Sequence, residues 1–172
     1  GMTGAAILAG RTALRCGAGL VTVAIPDTMQ SVAAAADPCY MTLGVDWSNA
    51  EKHLHDVLQS SRYSKCTIAI GPGLGRSKET DGLVCNLFRN WTNTLVCDAD
   101  AINALSDNRP TDWITMRALT AHRILTPHPG EWQRLSGIDS HDRVGQIESA
   151  SAYAKAWKVI IVLKGQHTWV TD

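Results

Sequence analysis

The chain has 172 residues, and its 16 Lys and Arg balance its 16 Asp and Glu for a formal net charge of zero. That length suffices for one domain with a real core. Balanced charge without a basic run excludes a dedicated nucleic-acid binder, and no apolar run reaches membrane-spanning length.

No basic n-region followed by a long apolar stretch opens the sequence, so a secretory leader is not expected. Five cysteines (Cys16, Cys39, Cys66, Cys85, Cys97) are scattered without a CxxC pair. Such a set reads as free thiols in a reducing, cytoplasmic setting.

In chain order, Thr3 to Cys16 reads as an Ala- and Gly-rich helix, with Thr3 as candidate N-cap and Gly17 or Gly19 as its stop. Leu20 to Ile25 reads as a strand ended by Pro26, Asp27 to Ala36 as a helix capped by Asp27, and Cys39 to Leu43 as a short strand. Ser48 to Ser60 is helical, with Leu54, Val57 and Leu58 on one side. Cys66 to Ile70 is a buried-type strand, followed by the glycine loop Gly71-Pro72-Gly73-Leu74-Gly75 and a helix from Ser77 to Trp91. Then come strand Thr94 to Asp98, a short helix Ala99 to Leu105 and strand Arg123 to Leu125. Thr126 to Pro129 should be a stiff extended loop, since proline lacks an N–H and disfavours helix before it. Gly130 turns the chain and Glu131 opens a helix to Leu135. A helix from Ser140 to Trp157, strand Val159 to Leu163 and strand Thr168 to Val170 complete the series.

Several strands are apolar throughout, as in a parallel sheet covered on both faces. The βαβα order predicts a three-layer α/β/α fold with a mostly parallel sheet, in a single domain over residues 1–172. The first helix has no strand before it and the last strand pair has no helix after it. The fold is therefore expected to be incomplete at both ends.

In open α/β sheets ligands sit at the carboxyl ends of strands. Four polar clusters fall there: Gly71 to Gly75, Asp98-Ala99-Asp100, His128 to Glu131, and Lys164-Gly165-Gln166-His167-Thr168. The glycine loop permits close backbone approach to a ligand, though a tight turn explains it as well. It matches neither GxGxxG nor a P-loop. Asp98 and Asp100 suit water-mediated Mg²⁺ contact or capping of the next helix, and Asn103 lies one turn further on. Glu131 suits a metal-bound water or simply the helix dipole. The His128 imidazole can hydrogen-bond an amide or ribose, or stack on a ring. Lys164 suits a phosphate as a point charge, or is a plain edge lysine. His53 and His55 point apart on their helix and read as solvent residues.

Together these segments resemble a known family. Gly4 to Ala9, Ala13 to Val21, Ile70 to Gly75, Asp98 to Asn103, Leu125 to Glu131 and Val162 to Gly165 follow the order of the ADP- or ATP-dependent NAD(P)H-hydrate dehydratases, which are ribokinase-like. The combination of TPHPGE with LKG is distinctive, and the resemblance spans nearly the whole chain. It implies a lyase that restores NAD(P)H from its hydrate, NAD(P)HX. A nucleotide with Mg²⁺ phosphorylates the ring hydroxyl, and phosphate then leaves. By the same resemblance, Ala5, Gly73 and His128 contact the hydrated dinucleotide, and Lys164, Gly165, Gln166, His167 and Thr168 line the ADP or ATP site. Glu131 resembles the carboxylate that orients Mg²⁺ and phosphate.

Family members carry a glycine-rich GTGD-type segment whose Asp activates the hydroxyl, and this sequence contains none. Impaired or absent turnover is the expectation. Uncovered sheet edges or apolar helix faces would favour aggregation or a homo-oligomer. The competing expectations are a ribokinase-like kinase of a small alcohol and a non-catalytic dinucleotide-binding module.

Overall fold

The computed structural model describes residues 2–108 and 122–172. Helix α1 (Thr3–Arg15) leads into a parallel pair, β1 (Thr22–Pro26) and β2 (Met41–Val45), joined through a 3₁₀ turn (Asp27–Met29) and α2 (Gln30–Ala36). A second 3₁₀ turn (Trp47–Asn49) and α3 (Ala50–Leu58) follow. The main sheet is built from β3 (Ile68–Ile70), β4 (Leu95–Cys97), β5 (Arg123–Leu125), β6 (Ile160–Leu163) and β7 (Trp169–Thr171). Helices α4 (Lys78–Asn90) and α5 (Asp100–Asp107) follow β3 and β4, and α6 (Pro129–Ser136) and α7 (Arg143–Trp157) both follow β5. The strands lie in sequence order, β3 to β6 parallel and β7 antiparallel to β6. The expected mostly parallel sheet is present.

Register sorts the sheet's side chains by face. Leu95, Cys97, Leu125, Ile161 and Leu163 point to one side and are fully buried. They pack against Leu83 and Phe88 of α4, Ile102 and Leu105 of α5, Trp132 and Leu135 of α6, and Ala150 and Ala154 of α7. Right-handed crossovers between neighbours that advance in one direction put these helices on one face. The opposite face carries Val96, Ile124, Ile160 and Val162, which are half-buried, and Ala69, which is exposed. The alternation of full and partial burial along β4, β5 and β6 marks one covered face and one half-open face. The small sheet joins the same core through Val45 and, just beyond it, Ala50.

Local chemistry sets the helix starts, not always where expected. Ser77 caps α4 in a capping box with Thr80 and Asp142 caps α7, each accepting a backbone N–H. Thr3 lies inside α1, with Met2 at the N-cap position. Asp27 opens a 3₁₀ turn instead of capping a helix, its carboxylate taken by the N–H of Thr28. Helix α6 starts at Pro129, two residues before the expected Glu131, because His128 serves as its N-cap. Proline at the first helical position loses no bond there, and Gly137 closes the helix in the left-handed conformation.

The amino ends of the strands hold a structural cation. Arg123, at the start of β5, is 1 % exposed. Its guanidinium donates to the carbonyls of Phe88 (2.8 Å), Asn93 (3.0 Å) and Trp91, where α4 ends. These carbonyls lie at and just beyond the C-terminus of α4, where a cation also meets the favourable end of the dipole. Burial pulls its pKa below the ordinary arginine value.

Candidate active site at the carboxyl edge of the sheet

Because β3 to β6 are parallel, their carboxyl ends share one edge. The four polar clusters of the sequence line up along it. At the β3 end, Gly71 has φ 120°, and a Cβ there would stand 1.8 Å from the carbonyl oxygen of Asp98. No side chain fits, so the loop presses directly on the next strand end. Gly73 has φ 72°, and a Cβ there would lie 2.5 Å from the Met2 carbonyl and 3.1 Å from the Ala5 Cβ. The start of α1 therefore sits on the glycine loop, and Ala5 and Gly73 adjoin. The Gly75 N–H donates to Asp100 at 2.9 Å, tying the loop to the first turn of α5.

At the β4 end the chain turns sharply. Ala99 has φ 49°, a sparsely populated conformation for a residue with a side chain. The turn leaves Asp98 at the strand tip, where Oδ1 accepts from Lys164 Nζ at 2.6 Å. Lys164 comes from the end of β6, so this ion pair arches over the end of β5 that lies between. The Lys164 N–H also donates to the Pro127 carbonyl at 2.8 Å. Just beneath Asp98, the Cys97 thiol is pushed up to about 12 by burial, which makes it a core group and not a nucleophile.

At the β5 end, His128 and Glu131 form a closed unit. His128 Nδ1 accepts from the N–H groups of Gly130 (3.1 Å) and Glu131 (3.3 Å). Glu131 Oε2 accepts from the His128 N–H at 2.8 Å, and its Oε1 lies 3.1 Å from His128 Nε2. An accepting Nδ1 gives its lone pair to these two N–H groups, and Nε2 is the ring nitrogen that faces Oε1. The Glu131 side chain is buried, while the His128 ring is half-exposed at the edge. The sequence reading of Glu131 as a helix-start carboxylate holds, and the reciprocal cap with His128 is the added fact.

At the β6 end, Gly165 to Thr168 form an exposed turn into β7. The Arg143 guanidinium holds this turn from behind, through the carbonyls of Leu163, Lys164 and His167. Sequence reasoning missed Arg143. The available signal was an arginine in the first turn of a helix, against the dipole, which implies a separate task. Asn103 is drawn elsewhere: its Oδ1 accepts from Arg134 Nη1 at 2.8 Å, joining α5 to α6. A groove between α3 and α4, floored by Leu54, Leu83 and Trp91, is lined by none of the strand-end clusters.

The arrangement defines a ribokinase-like α/β protein whose polar clusters gather at the carboxyl ends of the strands. A ribokinase-like superfamily protein of Enterococcus faecalis superposes with TM-score 0.74 at 26% identity, over 99% of this chain and 56% of that one. The family model of NAD(P)H-hydrate dehydratase matches residues 1–172, and the chain belongs to that family. The bifunctional NAD(P)H-hydrate repair enzyme Nnr of Moorella thermoacetica is 37% identical over 172 residues, covering 98% of this chain and 32% of the relative. An ADP/ATP-dependent NAD(P)H-hydrate dehydratase of Bacillus subtilis, co-crystallized with ATP and Mg²⁺, shares the fold with TM-score 0.73 at 24% identity, over 99% of this chain and 56% of that one. The chain thus spans about a third of the curated relative and just over half of the solved structures.

Proposed function

We propose that this chain forms, within a single ribokinase-like domain, the ligand-binding edge of an NAD(P)H-hydrate dehydratase. The observation that carries the reading is the Lys164–Asp98 bridge, which joins two strand ends across a third and sets a cation among the other clusters. Ala5, Gly73 and His128 take the hydrated dinucleotide NAD(P)HX. Lys164, Gly165, Gln166, His167 and Thr168 take ADP or ATP. The nucleotide donates a phosphoryl group to the hydroxyl of the hydrated nicotinamide ring. Phosphate then leaves with the hydroxyl oxygen as the ring loses a proton, and NAD(P)H is restored. Such a transfer depends on positioning and charge neutralisation more than on covalent groups.

The donor chemistry fits Mg²⁺ carried in by nucleotide phosphates. That ion keeps most of its waters and uses one or two carboxylates beside the phosphates. Among the described residues no three His, Cys, Asp or Glu side chains cluster into a cage of their own. Asp98 and Glu131 would hold the ion through its waters, and the ion would neutralise phosphate charge. Asn103 stays with Arg134.

Asp98 is paired with Lys164 and Glu131 with His128, and the sequence holds no GTGD-type segment, whose Asp activates the hydroxyl in the family it resembles. We therefore expect this chain to bind better than it turns over. Among the described residues no helix is long and apolar enough to cross a membrane. The balanced charge and scattered thiols support a cytoplasmic protein acting on small molecules.

The test is titration of the 172-residue protein with NADH and with Mg-ATP or Mg-ADP, followed by NADHX or NADPHX turnover read as returning reduced-nicotinamide absorbance. Binding of both ligands, with NADHX but not small alcohols displacing NADH, is expected. Failure to bind either ligand refutes the reading, and displacement by small alcohols favours a kinase. Turnover at the level of intact dehydratases refutes the expected impairment.

A further inference from the structure

We propose that Arg143 is the positioning residue that shapes the nucleotide loop, a role that rests on the reading of residues 164–168 given above. The guanidinium gathers three carbonyls of one turn: Leu163 and His167 on Nη2, at 3.2 and 2.6 Å, and Lys164 on Nη1 at 3.3 Å. These residues bracket the turn, so one rigid planar group fixes both of its legs. A guanidinium presents its donors as a fork, which a lysine cannot reproduce. The neighbouring backbone is cut to receive it: a Cβ on Gly165 would lie 3.2 Å from both Cζ and Nη2 of Arg143.

The position of Arg143 in its own helix points the same way. It is the first residue of α7, where a cation opposes the dipole. Asp142 before it already caps the helix through the Gly145 N–H at 2.9 Å, so α7 does not need the arginine. With the turn's carbonyls drawn inward, its N–H groups are left for an outside acceptor. Among the described residues, the exposed N–H groups of Gly165, Gln166, His167 and Thr168 meet no backbone acceptor. A phosphate chain supplies such acceptors.

The same turn of α7 also touches the other wall. Gln146, fully buried, donates from Nε2 to the Pro129 carbonyl at 2.9 Å, beside His128. One helical turn therefore braces the nucleotide loop through Arg143 and the dinucleotide wall through Gln146. The two walls keep their spacing through α7, while Arg143 acts on the nucleotide side alone.

The experiment compares the parent chain with Arg143→Met, Arg143→Lys and Gly165→Ala by calorimetric titration with Mg-ATP and, separately, with NADH. Arg143→Met and Gly165→Ala should each weaken ATP binding about tenfold or more, with Arg143→Lys between them and the parent. NADH affinity should stay within about twofold. Arg143→Lys keeps the charge and the stem without the planar fork, so it decides the matter if Arg143→Met fails to fold, while Gly165→Ala reports the sensitivity of the nucleotide loop itself. Unchanged ATP binding in the folded variants overturns the proposal. Equal losses for ATP and NADH also overturn it, since a general packing role moves both. A parent chain that binds NADH but not ATP refutes the reading of residues 164–168 itself and takes this role with it.

Discussion

Replacing Lys164 by Met separates what the strand-end ion pair does for folding from what it does for ligands. The pair is short, 2.6 Å, but its side chains are 40 % and 33 % exposed. Water screens such a pair, and its worth to stability is below about 1 kcal/mol. Methionine keeps most of the apolar stem, so packing changes little. For a chain of this size 1 kcal/mol moves the thermal midpoint by about 2–4 °C, so the Lys164→Met midpoint should fall by no more than about 4 °C. The ligand effect should be far larger. A hydrogen bond to a charged group contributes about 1.5–3 kcal/mol, which is a loss of roughly tenfold to a hundredfold in ATP affinity. Thermal unfolding and ATP titration on the same preparation read the two effects apart. A drop of midpoint well beyond that limit with ATP affinity intact would refute the reasoning, because the bridge would then be a structural strut.

Three other perturbations follow from the same structure. Gly71→Ala forces a Cβ into the Asp98 carbonyl at a positive φ, and should lower unfolding free energy by about 3 kcal/mol or more in a denaturant titration. Arg123→Met should cost about 3 kcal/mol by the same measurement, because losing the buried donor shared by the Phe88, Asn93 and Trp91 carbonyls outweighs the relief of no longer burying a charge; a neutral result would sink that account. In alkylation of the folded chain, exposed Cys16 should react first. The hydrogen bond that the Cys39 thiol donates to the Asp37 carboxylate raises its pKa, so its thiolate forms, and its labelling accelerates, only at higher pH than an ordinary thiol. Cys97, pushed up to about 12, should stay unlabelled through mildly alkaline pH until the protein unfolds, as peptide mapping would show.

The strand ends were legible because each carries a polar or glycine cluster directly after an apolar run, and a parallel sheet necessarily gathers those ends. Ala5 beside Gly73 emerged from the family pattern and not from spacing, since the contact joins α1 to a loop far along the chain. The reciprocal cap of His128 and Glu131 escaped the reading because histidine is not among the usual N-cap residues, although the i, i+3 spacing of a capping box was present. Arg143 was invisible because its partners are carbonyls, which no side-chain pattern records. The apolar strands implied cover on both faces, yet Val96, Ile124, Ile160 and Val162 remain half-buried. Periodicity reports what a strand can bury, and only packing reports what it meets.

The parallel topology divides stability from function along the strands themselves. At the amino ends, Arg123 gathers the carbonyls that close α4, and the residues beside it, such as Leu95 and Phe88, are fully buried. At the carboxyl ends, Asp98, His128, Lys164 and the Gly165 turn are each part-exposed and held by only a few polar contacts. A strand of three residues is only about 10 Å long, so the two regimes are close neighbours. What insulates them is the covered face between, where Cys97, Leu125 and Ile161 are fully buried in one core layer. The left-handed turn at Ala99 stands at the carboxyl edge directly on this buried layer. The carboxyl edge can therefore change chemistry with little effect on folding, except where its backbone touches the layer directly. Gly71 is that exception, and this is why its substitution belongs with Arg123 in severity and with Lys164 in position.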